Sequence, residues 1–182
     1  MKAELIFVGN SNEAALNQAK SKLEGMGAEV VGCANIENDP IMLKKALKTA
    51  IGRSQLAVIV GGVGFNADDL TIKTVSEAVG AETACNQSVL ANIAEYFAAK
   101  GEQLPDGAFR SAILPVAANV FYGEKGSVGC SLTQGEQAIV MLPSDEEVFD
   151  TMMEKDVTPI VNSMKGKATS ERTFFAADVS DA

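Results

Sequence analysis

Apolar positions in the first eighty residues alternate between short continuous runs and stripes of helical spacing. The runs at 5–8, 28–33 and 56–60 predict strands. The run at 56–60 is too short for a confident helix, and its β-branched residues favour a strand that is buried on both faces. Between and after these runs, apolar residues recur every three or four positions, which predicts amphipathic helices. Because parallel strands need a crossover connection, this order predicts an α/β fold: a three-layer α/β/α sandwich with a mostly parallel sheet.

In the second half of the chain, short apolar runs and stripes of helical spacing alternate less regularly. Helical spacing returns at 86–97, and a late helix is predicted to start at a capping box formed by Ser144 and Glu147. Residues 103–110 read as a loop, and residues 123–135, rich in Gly, Ser and Lys, as a surface loop or a hairpin. Further strands are predicted at 113–116, 120–122 and 138–142. We expect one domain over residues 1–165 and a tail or linker over 166–182, with a strand at 172–178.

The strand at 56–60 leads directly into a glycine-rich turn and a second helical pattern. Gly61, Gly62 and Gly64 can adopt positive φ and allow a ligand to approach the backbone. Asp68 and Asp69 follow, at what the pattern predicts is the acidic first turn of a helix. In an open α/β sheet, ligands bind beyond the carboxyl ends of the strands, where such turns lie.

Two interpretations of this turn fit the residues alone. The partial positive charge of a helix N-terminus holds phosphate, and Asp68 and Asp69 could hold Mg²⁺, which bridges phosphate oxygens. This combination predicts a metal-dependent nucleotide or pyrophosphate site. Equally, aspartates often begin helices and glycines often form tight turns without any ligand. The turn matches neither a Walker A loop nor the dinucleotide-binding glycine pattern.

The amino-acid composition excludes several kinds of catalytic and binding site. The 182 residues contain no His, which excludes Ser-His and Cys-His nucleophiles and histidine metal ligands from the chain. The net charge of −9 argues against nucleic acid as a general partner. Three widely spaced cysteines fit neither a disulfide framework nor a zinc site, so we expect a reducing cytoplasm. No segment resembles a signal peptide or a membrane span.

The glycine turn closely resembles a known family signature. Gly61-Gly62-Val63-Gly64, then Asp68-Asp69-Leu70-Thr71 and Ala78-Val79-Gly80, resemble the central motif of the molybdopterin-binding (MoCF biosynthesis) domain. The nearer branch is the N-terminal domain of competence/damage-inducible protein A. Further similarities are Asn38-Asp39-Pro40, Arg110 with Leu114-Pro115, and Leu142-Pro143, so the resemblance covers most of the chain.

This resemblance implies a homo-oligomeric domain that binds a molybdopterin or an adenine nucleotide, with Mg²⁺, at the carboxyl ends of the strands. Activities associated with the family are ADP-ribose pyrophosphatase and molybdopterin adenylyltransferase. Carried onto this sequence, Asp69 and Asp68 become candidate catalytic residues, and Asp69 and Asp39 candidate metal ligands. The candidate ligand-binding residues are Gly61, Gly62, Gly64, Asn66, Thr71 and Ser144.

Departures from the family pattern support an alternative. The family's early glycine-acidic segment is missing after Gly9, Asn38 stands where an acidic residue is usual, and Ser144 replaces a glycine. The alternative is therefore a non-catalytic module that binds a ligand or mediates oligomerisation through a degenerate site.

Overall fold

Eight strands and seven α-helices make up the part of the chain described by the computed structural model, residues 1–9 and 11–166. The strands are β1 (Lys2–Val8), β2 (Glu29–Ile36), β3 (Leu56–Val60), β4 (Thr83–Cys85), β5 (Ile113–Pro115), β6 (Asn119–Tyr122), β7 (Val128–Gln134) and β8 (Gln137–Leu142). The helices are α1 (Glu13–Gly25), α2 (Pro40–Arg53), α3 (Thr71–Ala78), α4 (Gln87–Lys100), α5 (Ala108–Ser111), α6 (Glu146–Met152) and α7 (Thr158–Gly166).

Six of the strands form one sheet in the order β2-β1-β3-β8-β7-β6. β1 pairs in parallel with β2 and β3, and β3 pairs in parallel with β8. β7 and β6 continue the sheet as antiparallel strands. β3 is therefore an interior strand, as its uninterrupted apolar sequence predicted, and the carboxyl end of β3 carries the glycine turn.

Helices cover both faces of this sheet, which confirms the predicted three-layer sandwich. β3 shows the division most clearly, because its residues alternate between two cores. Ala57 and Ile59 pack in the core beneath α2, α3 and α4. Leu56, Val58 and Val60 pack in the core beneath α1, α6 and α7. This two-residue alternation is the expected consequence of strand geometry.

Side-chain caps start most of the long helices. Asn12 accepts a hydrogen bond from the amide of Ala15 at the start of α1, and Asn86 does the same for Val89 at the start of α4. For α6 the predicted capping box is wrong: Asp145, not Ser144, accepts from the amide of Val148. A 3₁₀ turn precedes β7 at Glu124–Gly126, and a π-helical turn, Met153–Val157, joins α6 to α7.

The structure corrects several element predictions in the second half. The segment at 123–135 is not a surface loop, because most of it is β7, whose first five residues are buried. The predicted hairpin was the correct alternative. α5 interrupts the predicted loop at 103–110, and β5 pairs with β4, a strand that was not predicted, in a separate two-stranded sheet. The predicted strand at 172–178 and the tail from residue 167 lie outside the described residues.

None of the helices described is long and apolar enough to cross a membrane.

Candidate functional site

The glycine turn after β3 has a backbone that requires glycine. Gly61 has φ +98° and Gly62 has φ +62°, in the left-handed region that side chains disfavour. A Cβ atom on Gly61 would collide with the carbonyl oxygen of Val8, and one on Gly62 would collide with the hydroxyl of Thr71. The turn therefore lies directly against the end of β1 and the start of α3.

Thr71 holds this turn in place. Its hydroxyl donates to the carbonyl oxygen of Gly61 at 2.8 Å, and its amide donates to the carbonyl oxygen of Gly62 at 3.0 Å. The side chain is 1% exposed. Thr71, predicted as a ligand-binding residue, is thus a support of the turn in this structure.

The acidic pair lies in the loop before α3 and not in its first turn, which corrects the sequence prediction. α3 begins at Thr71 and has no side-chain cap. Asp69 is partly buried, and its Oδ2 accepts from the amide of Asn66 at 2.7 Å. Asp68 is exposed, and its carbonyl oxygen accepts from the amide group of Asn38 at 2.8 Å. The local loop fold therefore orients Asp69 and leaves Asp68 at the surface.

The short helix α5 binds the other side of the same loop. The hydroxyl of Ser111 bonds to the carbonyl oxygen of Gly64. Nη2 of Arg110 donates to the carbonyl oxygens of Asn66, at 2.6 Å, and of Phe65, at 3.4 Å. Three successive carbonyl groups of the loop are thus held from α5. The sequence resemblance included Arg110 but gave it no role, and no local pattern pointed to Ser111.

A cavity of about 460 Å³ lies between the glycine turn, α3, α5 and the start of β7. Its volume falls within the usual range for small-molecule sites. Gly62, Gly64 and Asp69 form one wall. Apolar side chains form much of the remainder, including Val63, Phe65, Ile72, Ile113, Val128 and Pro143. Lys73, Glu77 and Arg110 add charged groups that the sequence did not single out as ligand-binding residues.

Gly61, Asn66, Asp68 and Thr71 belong to the same turn and loop but do not line the cavity. The two remaining predicted site residues lie elsewhere. Oδ1 of Asp39 accepts from the amides of Ile41, at 2.7 Å, and Met42, at 2.9 Å, so this carboxylate serves as the N-cap of α2. Ser144 lines a separate cavity of about 260 Å³, together with Phe7 and Val60. Those two residues belong to the core on the opposite face of the sheet from the glycine-turn cavity.

Within the described ranges, no group of three or more Asp, Glu or Cys residues is arranged to hold a metal ion. The glycine-turn cavity is lined by two carboxylates, those of Asp69 and Glu77. Glu77 is paired with Lys44 across the α2–α3 contact, at 3.3 Å. Asp69 is therefore the carboxylate in this cavity that has no cation as a partner.

Comparison with known proteins identifies the family of this chain. Residues 6–163 match the family described as "Probable molybdopterin binding domain". The chain belongs to this family. A protein of Desulforamulus reducens named "Putative competence-damage inducible protein" is 30% identical over 186 residues, covering 96% of this chain and 44% of its own length. A "CinA-like protein" of Dictyoglomus thermophilum is 25% identical, covering 100% of this chain and 46% of its own.

Solved structures share the fold. CinA of Thermoplasma acidophilum, whose function is described as unknown, superposes with a TM-score of 0.75 at 22% identity, over 86% of this chain and 97% of that one. A molybdopterin biosynthesis protein of Mycobacterium abscessus gives 0.60 at 17% identity, over 91% and 94%. The chain spans less than half the length of the two curated relatives.

Proposed function

We propose that this domain binds a small pterin or nucleotide in the cavity beside the glycine turn. The observation that supports the proposal is the position of this cavity. It lies at the carboxyl end of β3 and is walled by Gly62, Gly64 and Asp69, the motif that relates the chain to molybdopterin-binding domains. Ligands of α/β sheets collect at this edge.

The side chains around the cavity suit a planar ring with polar edges. Phe65, Ile72 and Val128 offer apolar surfaces for the faces of the ring. Asp69 would accept hydrogen bonds from ring N–H or amino groups. The start of α3 adds backbone N–H groups that lack partners inside the helix.

A panel of pterins and adenine nucleotides tests binding by thermal shift. A ligand present at 100 times its dissociation constant stabilises the folded state by about 2.7 kcal/mol. We expect Asp69→Asn to lose most of the shift and Asp106→Asn, an exposed aspartate outside the cavity, to keep it. The absence of any shift across the panel contradicts the proposal.

A second candidate function is Mg²⁺-dependent chemistry at a pyrophosphate, either hydrolysis of ADP-ribose or adenylation of molybdopterin. It is favoured by Asp69, which lines the cavity and is oriented by the amide of Asn66. Of the predicted metal ligands, only Asp69 lines the cavity. Asp69 would hold the metal together with ligand phosphates and water, because Asp39 serves as the cap of α2. Bound Mg²⁺ would neutralise negative charge on the phosphates.

Turnover experiments separate the two candidates. Mg²⁺-dependent loss of ADP-ribose or formation of adenylated molybdopterin, abolished by Asp69→Asn, supports catalysis. Binding without turnover supports the non-catalytic module, the alternative drawn from the departures in sequence. The predicted homo-oligomer is a separate proposal, which sedimentation analysis at micromolar concentration tests; a monomer there contradicts it.

A further inference from the structure

A second cavity lies at the opposite edge of the sheet from the glycine turn. Its volume is about 300 Å³, and it is bounded by the turn between β7 and β8, by the π-helical turn Met153–Val157 and by α7. β8 begins at the first of these turns and runs parallel to β3, so the cavity lies at the amino ends of the two strands. We call it the π-turn cavity.

The π-helical turn brings a carboxylate to this cavity. Met153 and Val157, at the two ends of the turn, are buried in the core beneath α7. Asp156 lies between them and lines the cavity. Its Oδ2 is shielded from solvent and has no hydrogen-bond partner among the residues that the structure describes. Partial removal from water raises the pKa of this carboxyl group. Turns of the π type occur frequently at functional sites.

A second polar side chain on the same face of the sheet also lacks a partner. Ser131 is 2% exposed, and its Oγ forms no hydrogen bond within the described part of the chain. Ser131 pairs directly with Asn119 and precedes Thr133 by two residues, so the three side chains lie on one face of the sheet. Asn119 and Thr133 line the π-turn cavity. Buried polar groups in folded proteins nearly always have a partner, so two such atoms beside one cavity indicate a bound molecule.

The charges of the lining select the sign of that molecule. Asp156 and Glu136 contribute two carboxylates, and Lys155 contributes the one cation among the described lining residues. Lys155 is exposed and forms no salt bridge with either carboxylate or with any other described residue. A desolvated carboxylate gains most from a charged donor, because such hydrogen bonds are about twice as strong as neutral ones. The lining therefore favours a cation.

The remaining lining residues restrict the kind of cation. Pro159, Ile160 and Met164 contribute apolar surface from α7, which suits a hydrocarbon stem. In the described ranges, no group of three or more Asp, Glu or Cys residues is arranged to hold a metal ion. A cavity of about 300 Å³ is at the small end of the range for ligand sites. These properties favour a small organic cation over a metal ion.

We propose that the π-turn cavity is a second binding site, which takes a primary ammonium group on a short aliphatic stem and uses the carboxylate of Asp156 as its acceptor. The ammonium group offers three donors, and the stem lies against Ile160 and Met164. A free alkylamine and a lysine side chain share this chemistry. The site is separate from the glycine-turn cavity, so it does not depend on the function proposed for that cavity.

Titration of the full chain, followed by heteronuclear NMR, tests the proposal with n-butylamine and its neutral analogue n-butanol. We expect n-butylamine to shift the amide signals of residues 153–157 and to bind at least about fivefold more tightly than n-butanol, as a charge-assisted hydrogen bond provides. Asp156→Asn removes this preference. Glu154→Gln changes an exposed carboxylate of the same turn that does not line the cavity, and this matched control keeps the preference.

A second variant keeps the test decisive if Asp156→Asn does not fold. Glu136→Gln removes the other carboxylate of the lining and leaves the π-helical turn unchanged, and we expect it to weaken the preference for n-butylamine. In a folded Asp156→Asn protein, thermal shifts produced by pterins or nucleotides should equal those of the wild type. The two cavities lie at opposite edges of the sheet, so a loss of amine binding alone separates this site from the glycine-turn site.

Three results would overturn the proposal. They are equal binding of n-butylamine and n-butanol, a preference that survives in Asp156→Asn, and the absence of any shift at the π-helical turn. The same shifts with Mg²⁺ or K⁺ in place of the amine would identify an inorganic cation site and would also overturn it. Nα-acetyl-lysine amide distinguishes the two sources of the ammonium group. Tighter binding than n-butylamine supports a lysine side chain of another protein segment as the ligand, and weaker binding supports a free amine.

Discussion

Gly62 and Thr71 show at the scale of single residues why the central motif needs its residue types. Gly62 approaches the Thr71 hydroxyl too closely for any side chain, and Thr71 spans the turn with two hydrogen bonds. The two residues lie nine positions apart and act as one unit. Glycine in this turn is therefore required by packing as well as by backbone conformation.

Two glycines with nearly the same φ separate these two requirements. Gly62 has φ +62° and Gly80 has φ +65°, but a Cβ on Gly80 would meet nothing within 4 Å. We expect Gly80→Ala to lower the free energy of unfolding by about 1 kcal/mol, the cost of the left-handed conformation. Gly62→Ala adds a clash with buried Thr71 and is expected to cost about 3 kcal/mol in total. Urea unfolding measures both values; equal losses would show that packing at Gly62 contributes nothing.

The candidate site was predictable from sequence where the chain is locally continuous. Gly62, Gly64 and Asp69 follow β3 within nine residues, and the structure brings them to one cavity. Asp39 and Ser144 were assigned through the family resemblance, and the structure places them elsewhere. Whether Asp69 holds a metal or takes part in catalysis stays a prediction.

At the scale of elements, α5 is a clamp on the glycine loop. Two of its four residues, Arg110 and Ser111, donate to the carbonyl oxygens of Gly64, Phe65 and Asn66. Because Asn66 in turn donates its amide to Asp69, the clamp also supports the orientation of that carboxylate. The position of Asp69 thus depends on a segment about forty residues away in the chain.

Removing the clamp should loosen the loop locally. We expect Arg110→Met to speed hydrogen exchange of the Asn66 amide by about tenfold, because losing such bonds costs about 1–2 kcal/mol and 1.4 kcal/mol corresponds to a factor of ten. Ser111→Ala should have a smaller effect of the same kind. Ser163→Ala, an exposed serine on α7, is the control. Unchanged exchange at Asn66 in both α5 variants would contradict the clamp.

Charge also links elements on the antiparallel side of the sheet. Lys125, in the 3₁₀ turn before β7, contacts Asp145, the N-cap of α6, at 3.0 Å. The hydrogen bond from Lys125, with that from the amide of Val148, lowers the pKa of Asp145. A carboxyl group with a depressed pKa stabilises the folded state above its unfolded pKa, about 3.9, and this contribution is lost as the pH falls through the lower folded value.

Asp145→Asn keeps the capping oxygen and removes the charge. At pH 7 we expect the variant to be less stable by a few tenths of a kcal/mol, since the pair is solvent-exposed. The difference should begin to shrink as the pH falls below the unfolded pKa of about 3.9, and it should disappear below the lower folded pKa, where the wild-type carboxyl group is protonated in both states. Urea unfolding at pH 7 and at pH 3 measures it. A difference that persists unchanged at pH 3 would show that charge is not its cause.

β7 illustrates why the sequence left two alternatives, a surface loop and a hairpin, for one segment. The segment 123–135 that contains β7 is rich in glycine, serine and lysine, a composition typical of loops. In the sheet, a Cβ on Gly129 would lie 2.9 Å from the carbonyl oxygen of Met141, so the small residue permits close packing against β8. The need for a small residue at this position is imposed by the neighbouring strand β8. The hydrophobic pattern of β7 itself therefore does not show it.

At the scale of the whole molecule, the accessibility of the Cys130 thiol depends on whether the sheet is folded. Cys130 lies on β7 with 0% exposure, and burial raises the pKa of its thiol to about 12. Cys33, on the edge strand β2, is exposed. Cys85 is intermediate, so Cys33 and Cys130 are the two extremes of thiol exposure in this chain.

Thiol labelling uses this contrast. In native protein we expect a disulfide reagent to modify Cys33 at least about a thousandfold faster than Cys130, because labelling of Cys130 requires opening of a structure that is stable by several kcal/mol. Variants that keep a single cysteine, with Ser at the other two positions, assign each rate. Modification of Cys130 at a rate similar to that of Cys33 would contradict its burial.

The sequence by itself determined the alternation of strands and helices, the three-layer class and the identity of the central turn. These follow from short-range periodicity and from residues adjacent in the chain, such as Gly61 to Asp69. Only the tertiary structure decided that Ser144 faces a different cavity, that Arg110 and Ser111 hold the loop, and that Lys73 joins the cavity wall. Those relations join elements distant in sequence, whose meeting depends on the strand order of the sheet and on packing.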